Sequence, residues 1–336
     1  MGLKRAAANT IYRGEYWMEL AVVMDRTARC EHKASVHVMV GWIALLAVVS
    51  IHTGCKALAV NSPLDRIVPR NDRNWTKDMV HLTTADFLPD GRVAIRNIRN
   101  CEYLTETDYV VDYYDRTIRL EDVQSVDFIM VPFKNMPAVA HTMLSFGLAD
   151  GSYLCVSAEI RKEIGEDYSP MLGISNQFEL IYLVADERDL IRLRTRHRDV
   201  DVYIYPTIAQ PRDAQALFTD VFQRVNQLAN RPEFYHTFTN NCTTNLVSHV
   251  NRLHRNKVPF GWKVLLPGFS DRYAYELGLL DNRLPFDELK ALAHVNGSVD
   301  RFFDHPRFSV AIRDPHRQIE QAIELNVRRN QDSVTR

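Results

Sequence analysis

The segment at residues 238–245 (FTNNCTTN) contains residue types that can carry out nucleophilic chemistry. Asn240 and Asn241 favour the N-cap of a helix, so Cys242 is predicted to lie in the first turn of the helix that follows. Free backbone N–H groups and the helix dipole stabilise an anion there, which lowers the pKa of a thiol and populates its reactive thiolate. Cys242 is therefore the candidate nucleophile, with Asn240 and Asn241 as candidate cap and oxyanion residues. The alternative is that Cys242 is a small buried apolar side chain, the more common role of a cysteine.

A thiol nucleophile needs an imidazole within hydrogen-bond reach, and His141 is the candidate general base. It starts a strand-like run, HTMLSF, which the turn sequence ADGS joins to a second run, YLCVSAEI. An Asp-Gly step is typical of a β-hairpin, so the hairpin should project His141 from a strand end toward a helix terminus. The competing histidines are His236, close to Cys242 in sequence, and His249 and His254, which are predicted to face solvent or to cap the helix.

A third group should orient the imidazole, and the facing arm of the hairpin offers Ser157 and Glu159. The strand register decides which of them points toward His141. Glu159 is favoured because a carboxylate stabilises an imidazolium; alternatively, it belongs to a solvated, charged strand end. Arg161, on the same strand, and Asn245, on the helix after the nucleophile, are the predicted substrate-binding residues.

Composition and charge restrict the class of protein. The chain has 336 residues, of which 46% are hydrophobic and 25% charged, and its formal net charge is -1. Acidic and basic residues are interspersed, so the sequence carries no basic stripe and nucleic acid is not a predicted partner. The five cysteines form no C-x-x-C pair and the 12 histidines form no H-E-x-x-H pattern. The sequence therefore predicts no disulfide framework, no metal and no other cofactor.

Residues 34–51 (ASVHVMVGWIALLAVVSI) form an apolar run of the length that can cross a bilayer. Three basic residues closely precede the run, which predicts a single-pass inner-membrane protein with a cytoplasmic N-terminus and a periplasmic remainder. The sequence TGC at residues 53–55 resembles the end of a lipobox, so the alternative is a lipoprotein anchored at Cys55. A buried soluble helix is the third interpretation.

The remainder of the chain is predicted to be one α+β domain, with an antiparallel sheet packed with helices. β-Branched and aromatic runs predict strands at residues 93–95, 109–114, 128–132, 141–146, 153–160, 178–184 and 202–205. Apolar residues at helical spacing predict helices at residues 214–228, after Asn241, and at residues 315–329. The predicted divisions are a cytoplasmic segment at 1–33, a membrane or signal segment at 34–55, a linker at 56–74, a catalytic domain at 75–300 and a charged helical tail at 301–336.

Six segments together resemble the Lnb N-terminal periplasmic domain family of bacterial membrane-associated proteins. The resemblance runs from about residue 75 to about residue 281. It rests on residues 93–103 (VAIRNIRNCEY), 126–146 (VDFIMVPFKNMPAVAHTMLSF), 157–168 (SAEIRKEIGEDY), 178–193 (FELIYLVADERDLIRL), 239–253 (TNNCTTNLVSHVNRL) and 265–273 (LLPGFSDRY).

The resemblance implies a fold and an activity. The family is named after a lipoprotein N-acyltransferase, and its domain is similar to permuted papain-like (NlpC-like) thiol enzymes, in which the histidine precedes the cysteine. By this resemblance Cys242 would form an acyl-thioester, His141 would transfer protons, and amides at the helix start would stabilise the oxyanion. The implied protein is a membrane-anchored periplasmic cysteine acyltransferase or hydrolase, with a membrane lipid or lipoprotein as substrate. The alternatives are a cysteine peptidase or amidase of the cell envelope, and a non-catalytic envelope scaffold in which Cys242 only packs.

Overall fold

Strands with β-branched and aromatic sequences form the centre of the fold. The computed structural model describes residues 68–167, 171–253 and 257–314, together with Leu325. The strands in these residues are β1 (Thr84–Phe87), β2 (Arg92–Arg99), β3 (Glu102–Tyr103), β4 (Tyr109–Val110), β5 (Tyr113–Arg119), β6 (Val123–Phe133), β7 (Met136–Leu148), β8 (Tyr153–Arg161), β9 (Glu179–Asp186) and β10 (Tyr203–Pro206).

Most of these strands form one sheet. Its order is β1-β2-β9-β8-β7-β6-β10, and β5 pairs with β2 beside this path. The pairing of β2 with β9 is parallel, through Arg99 and Ala185, whereas the other neighbouring strands of the sheet pair antiparallel. The predicted α+β class with a mostly antiparallel sheet is therefore confirmed. The strand predicted at residues 109–114 is divided between β4 and β5, and β4 pairs with β3 in a separate two-stranded sheet.

Helices pack on the sheet; in sequence, the first of the described helices lies between β9 and β10, and the others follow β10. The helices of the described residues are α1 (Glu187–Arg192), α2 (Pro211–Asn230), α3 (Cys242–Leu253), α4 (Trp262–Leu265), α5 (Ser270–Glu276), α6 (Phe286–Ala293), α7 (Asn296–Arg301) and α8 (Phe308–Ala311). Helix α2 contains the predicted residues 214–228, and Pro211 occupies its first position, where a missing N–H has no consequence. Helix α3 confirms the helix predicted after Asn241. The helix predicted at residues 315–329 lies outside the described residues.

The hairpin of β7 and β8 contains the predicted base and its partners. The ladder between the two strands ends at Leu144 and Val156, and both strands continue beyond that pair. Because β7 begins at Met136, His141 lies in the strand interior, and the prediction that it starts the strand is wrong. On its other side this part of β7 pairs with β6, with His141 opposite Val131.

Successive residues of a strand point to opposite faces of the sheet. On one face Phe146 packs against α2, with its ring centroid 5.3 Å from that of Phe218. On the other face Met143 and Cys155 are buried with residues of α1, α7 and α8. His141 is two residues from Met143 and therefore points to this second face.

The first residues of the described chain pack onto the domain. Asn71 donates a hydrogen bond to the carbonyl of Ala229, and the Trp75 indole donates one to the carbonyl of Asn71. The domain thus includes the last residues of the predicted linker. The predicted membrane or signal segment at residues 34–55 lies outside the described residues, and within the described ranges no helix combines the length and the apolar character that a bilayer span requires.

Arg313 extends the packed domain beyond the predicted boundary at residue 300. Its guanidinium donates hydrogen bonds to Asp127 at 2.8 Å and to Glu187 at 2.7 Å, and it lies over the ring of Tyr153. Arg313 and both carboxylates are buried, so each charge depends on its partners for compensation of its lost hydration. The chain up to Arg313 is part of the domain.

Replacing Arg313 with methionine should leave the carboxylates of Asp127 and Glu187 buried without their cation. We expect a loss of about 3–5 kcal/mol in the free energy of unfolding, which lowers the Tm by about 10 °C. Thermal unfolding followed by circular dichroism measures this change. Arg301→Met is the control, because Arg301 is exposed and should change the stability by no more than about 0.5 kcal/mol. Equal Tm values for the two variants would contradict the importance of the buried ion pairs.

Candidate active site

Cys242 is the first residue of α3, as predicted. The side-chain oxygen of Asn241 accepts a hydrogen bond from the backbone N–H of Thr244 at 2.9 Å, and the Thr244 hydroxyl accepts one from the backbone N–H of Asn241 at 2.9 Å. This reciprocal pair is a helix N-cap, so of the two predicted candidates, Asn240 and Asn241, it is Asn241 that caps the helix. As the first helical residue, Cys242 has a backbone N–H outside the helical hydrogen-bond pattern.

Asn240 and Asn245 hold the start of α3 in place. The Asn240 amide donates to the carbonyl of Phe234 and accepts from the Asn245 amide, both at 2.9 Å. Asn245 also donates to the carbonyl of Asn241 and accepts from the Tyr182 hydroxyl at 3.0 Å. Since Asn245 is buried and its polar atoms are engaged within the protein, these contacts favour a structural role over the predicted substrate binding.

The Cys242 thiol and the His141 imidazole lie close enough for each of them to shift the pKa of the other. Helix α3 packs on the face of the sheet that carries Tyr182, whereas His141 points to the opposite face. The two side chains meet because the ladder between β7 and β8 ends at Leu144, before it reaches His141. The start of α3 therefore reaches His141 where the two strands are no longer paired.

Ser157 and Glu159 both orient His141. They are two residues apart on β8, so their side chains point to the same face of the sheet. The Nε2 atom of His141 lies 2.6 Å from the Ser157 hydroxyl and 3.3 Å from the Glu159 carboxylate, and the Ser157 hydroxyl donates to that carboxylate at 2.8 Å. The sequence predicts Ser157 or Glu159 as the partner of His141, whereas in the structure both side chains lie beside its imidazole. With Nε2 engaged on this side, Nδ1 is the ring nitrogen left to face Cys242.

Arg194 completes this chain of polar groups and was missed in the sequence. Its guanidinium donates to Glu159 at 2.8 Å and to the carbonyl of Leu190 at 3.1 Å, and the side chain is buried. Burial would raise the pKa of Glu159, but the hydrogen bond with His141 and the charge of Arg194 hold it well below its usual value. Glu159 is therefore a permanent anion behind the imidazole.

The pKa values of Cys242 and His141 favour an ion pair. Burial alone would raise the pKa of the Cys242 thiol, but the charge and hydrogen bond of His141 lower it to about 7. Burial alone would lower the pKa of His141, but the charge and hydrogen bond of Cys242, together with Glu159, raise it to about 9. Between these two pH values the thiolate and the imidazolium are the main species.

Backbone and hydroxyl groups also contact the sulfur atom. The backbone of Thr142 lowers the pKa of the Cys242 thiol further. The Thr243 hydroxyl lies 3.7 Å from the sulfur and 3.2 Å from the Thr142 hydroxyl.

Cys242 is partly accessible to solvent, whereas the other described cysteines, Cys101 and Cys155, are buried. The side chains of His141 and Glu159 are 18% and 19% exposed, and Cys242 is half-buried. Cys155 is fully buried, as predicted, and burial raises its pKa well above the usual value. Burial likewise raises the pKa of Cys101 to about 11. Cys242 is thus the described cysteine whose thiolate is both populated near neutral pH and open to reagents.

Arg161 has contacts that favour a structural role over the predicted substrate binding. Its side chain is 2% exposed, stacks on Trp75 with 4.1 Å between guanidinium carbon and ring centroid, and donates to the carbonyls of Met79 and Val80. It therefore fixes the segment before β1 onto the end of β8.

His249 was predicted to face solvent or cap the helix, and this prediction is wrong. The side chain is 2% exposed and lies between Asp220, at 2.6 Å from Nδ1, and the Tyr182 hydroxyl, at 2.7 Å from Nε2. Burial lowers the pKa of His249 to about 4, so it is neutral at physiological pH. His254 lies outside the described residues.

A polar cavity of about 420 Å³ lies beside α3 and does not include Cys242. Its two arginines are paired, Arg224 with Glu233 at 2.6 Å and Arg252 with Asp220 at 2.8 Å. The cavity is lined by Asp220, Gln223, Arg224, Gln227, Thr239, Asn240, Thr244, Asn245, Ser248 and Arg252. We assign it no part in the chemistry of the thiol.

The fold and these side chains define an α+β protein in which a cysteine at a helix start lies beside a histidine that contacts a carboxylate, the set of groups that a thiol nucleophile requires. Residues 109–268 match the family model of the Lnb N-terminal periplasmic domain. The resemblance seen in the sequence is thereby confirmed, over a shorter range. The family is one of periplasmic domains, which supports a protein of the periplasmic envelope. Neither the curated proteins nor the solved structures include a match to the chain.

Replacing Ser157 with alanine should have a small effect. The imidazole would lose its bridging hydroxyl, but Glu159 would remain within 3.3 Å of Nε2 and would keep its bond to Arg194. We expect the pH midpoint of Cys242 alkylation to move by no more than about 0.5 unit. Iodoacetamide labelling, followed by mass spectrometry of the peptide that contains Cys242, measures the midpoint. A shift as large as that of a His141 variant would show that the hydroxyl, and not the carboxylate, controls the imidazole.

Proposed function

We propose that the protein is a membrane-anchored periplasmic thiol acyltransferase or hydrolase, with a permuted papain-like arrangement, in which Cys242 is the nucleophile and His141 the general acid and base. The observation that supports it is the placement of Cys242, at the start of a capped helix, beside an imidazole that contacts Ser157 and Glu159. In the scaffold alternative Cys242 would be a packing residue. A half-buried thiol with a pKa of about 7 does not fit that role.

In the first half of the reaction the Cys242 thiolate attacks the carbonyl carbon of an acyl donor. The carbon–sulfur bond forms as the carbonyl oxygen becomes an oxyanion, which the Cys242 backbone N–H and the dipole of α3 stabilise. When the oxyanion collapses, the bond to the leaving alcohol or amine breaks, and His141 supplies the proton to that group. The product is an acyl-thioester on Cys242.

In the second half an acceptor removes the acyl group. An amine or alcohol acceptor gives acyl transfer, and water gives hydrolysis. His141, now neutral, takes the proton of the acceptor as it attacks the thioester carbonyl, and the Cys242 thiolate leaves. Glu159 stabilises the imidazolium in both halves, since its carboxylate remains ionised. The acyl donor would be a membrane lipid or lipoprotein, delivered where the anchor at residues 34–51, or a lipid on Cys55, holds the domain.

The test is to trap the thioester. The purified full chain is incubated with diacylated phospholipids or diacylated lipopeptides, and the peptide that contains Cys242 is analysed by mass spectrometry. We expect an added acyl mass on Cys242, which is absent from Cys242→Ala. Cleavage of peptides without any acyl adduct would overturn the proposal in favour of a peptidase or amidase. Failure of a thiol-directed probe to label Cys242 at pH 8 would overturn it in favour of the scaffold.

A further inference from the structure

Three exposed aromatic side chains lie close together in the segment after α3. Phe260, Trp262 and Phe269 are 66%, 41% and 41% exposed, and we call these three residues the aromatic surface. The rings of Trp262 and Phe269 are in contact, with their centroids 5.6 Å apart in an edge-to-face arrangement. Exposed aromatic side chains grouped in this way mark a binding surface, because each of them leaves apolar area in water.

The aromatic surface is attached to the elements that carry the candidate active site. Helix α4, which begins at Trp262, packs against α3, which begins at Cys242. The turn Pro267–Phe269 packs on β7, where a Cβ atom at Gly268 would collide with the carbonyl oxygen of Pro137. That contact is four residues before His141. The aromatic surface is thus fixed relative to both the thiol and the imidazole.

The charge of this segment is mainly positive. Between Glu233 and Asp271 the sequence contains no Asp or Glu, although it contains Arg252, Arg255, Lys257 and Lys263. Arg252 pairs with Asp220 and Lys263 with Glu276, both outside the segment, so the four basic residues exceed these two acidic partners by two. The Lys263 ammonium lies 5.8 Å from the centre of the Trp262 ring, and Lys257 is exposed. Lysines beside exposed aromatic rings are typical of protein surfaces at lipid headgroups. Lysine is depleted from interfaces between proteins, which argues against a protein partner or a second copy of the chain.

We propose that the aromatic surface docks onto an anionic lipid bilayer and places the candidate active site at the boundary between lipid and water. The predicted anchor permits this orientation. About 16 residues separate residue 51 from Val68, and at about 3.5 Å each they reach about 55 Å when fully extended. A domain of this size is about 45 Å across, so the anchor allows any face to rest on the membrane. The aromatic surface would then determine which face of the domain contacts the membrane.

Docking deepens the proposed function, because an acyl chain could pass from the bilayer to Cys242 without crossing water. It does not depend on the chemistry of the thiol. Cys242→Ser should therefore dock as the unchanged protein does. Failure of docking and failure of the acyl-transfer proposal are distinguishable for this reason.

The test uses the full chain reconstituted into vesicles of phosphatidylglycerol whose acyl chains are brominated, since bromine quenches tryptophan fluorescence at short range. The quenching of Trp262 is obtained by subtracting the fluorescence loss of Trp262→Tyr from that of the unchanged protein. The other tryptophans contribute equally to both and therefore drop out of this difference signal. We expect a clear difference signal, and we expect Phe260→Ser combined with Phe269→Ser to reduce it about fivefold or more. Leu104→Ser combined with Val110→Ser is the matched control, because these residues are 67% and 60% exposed elsewhere on the domain. The control should leave the signal unchanged.

Two results would overturn the proposal. One is a difference signal of zero, which would mean that Trp262 does not approach the acyl chains. The other is chemical cross-linking of two copies of the chain through Lys257 or Lys263, with loss of that cross-link in the double Phe→Ser variant. The aromatic surface would then be an interface between copies.

Discussion

Replacing His141 with alanine should move the alkylation midpoint of Cys242 from about pH 7 to above the ordinary thiol value of 9.0. The imidazolium is the group that lowers the pKa of the thiol against the effect of burial. Without the imidazolium, burial raises the pKa of the thiol, and only the weaker effects of Thr142 and Thr243 lower it. The thiolate fraction at pH 7 would fall about 50-fold, and turnover should fall by a factor of about 10² to 10⁴, because the proposed proton donor for the leaving group is lost as well.

The pH profile of the unchanged protein should have two limbs. Activity rises near pH 7 as Cys242 loses its proton, and it falls near pH 9 as the imidazolium of His141 loses its own. In His141→Ala the alkaline limb should disappear and the acidic limb should move upward. Iodoacetamide labelling between pH 5 and pH 10 measures the acidic limb without knowledge of the substrate.

The matched control for this prediction is His236→Ala. His236 lies six residues before Cys242 in sequence, and its Nδ1 atom accepts a hydrogen bond from the backbone of Phe238. The His236→Ala substitution should leave the pH midpoint of Cys242 alkylation at about 7. If His236→Ala moved the midpoint and His141→Ala did not, the assignment of the base would be wrong.

The sequence predicted those parts of the site that depend on local chemistry. The N-cap at Asn241 follows from residue preferences at a helix start, and the hairpin that carries His141 follows from an Asp-Gly turn between two apolar runs. Both are decided by a few neighbouring residues. The pairing of Cys242 with His141 was predicted from the chemical requirement for a base. In the structure the two residues meet where the ladder between β7 and β8 has ended, and no local sequence pattern reveals that end.

The parts that the sequence did not predict depend on burial and on contacts between distant segments. Arg194 lies in a segment with several arginines, and only packing distinguishes it, at 3% exposure, from the exposed Arg196. Arg161 and His249 looked suited to solvent or substrate because they are polar, but both are buried with partners far away in sequence. The same limitation applies to the domain end, where Arg313 belongs to the core only because Asp127 and Glu187 are there.

Glu159→Gln should separate the proposed catalytic role of the carboxylate from its structural role. Loss of its charge removes a hydrogen bond and a favourable charge from His141, so the pKa of His141 falls and the alkaline limb of the pH profile moves below about 9. We expect turnover to fall about tenfold to a hundredfold. Glu121→Gln, at a side chain that is 73% exposed, is the control and should change neither quantity.

The same substitution leaves Arg194 buried without its anion, which should cost about 3 kcal/mol of stability. The pKa of Glu159 is lower in the folded protein than its usual 4.5, so its ion pair stabilises the fold above that value and is lost as the pH falls through the folded value. The stability difference between the unchanged protein and Glu159→Gln should therefore narrow in acid. Adding Arg194→Met to Glu159→Gln removes the unpaired charge, so the double variant should recover most of the stability but none of the turnover. Recovery of both quantities in the double variant would show that the carboxylate only holds the fold, and that His141 acts without it.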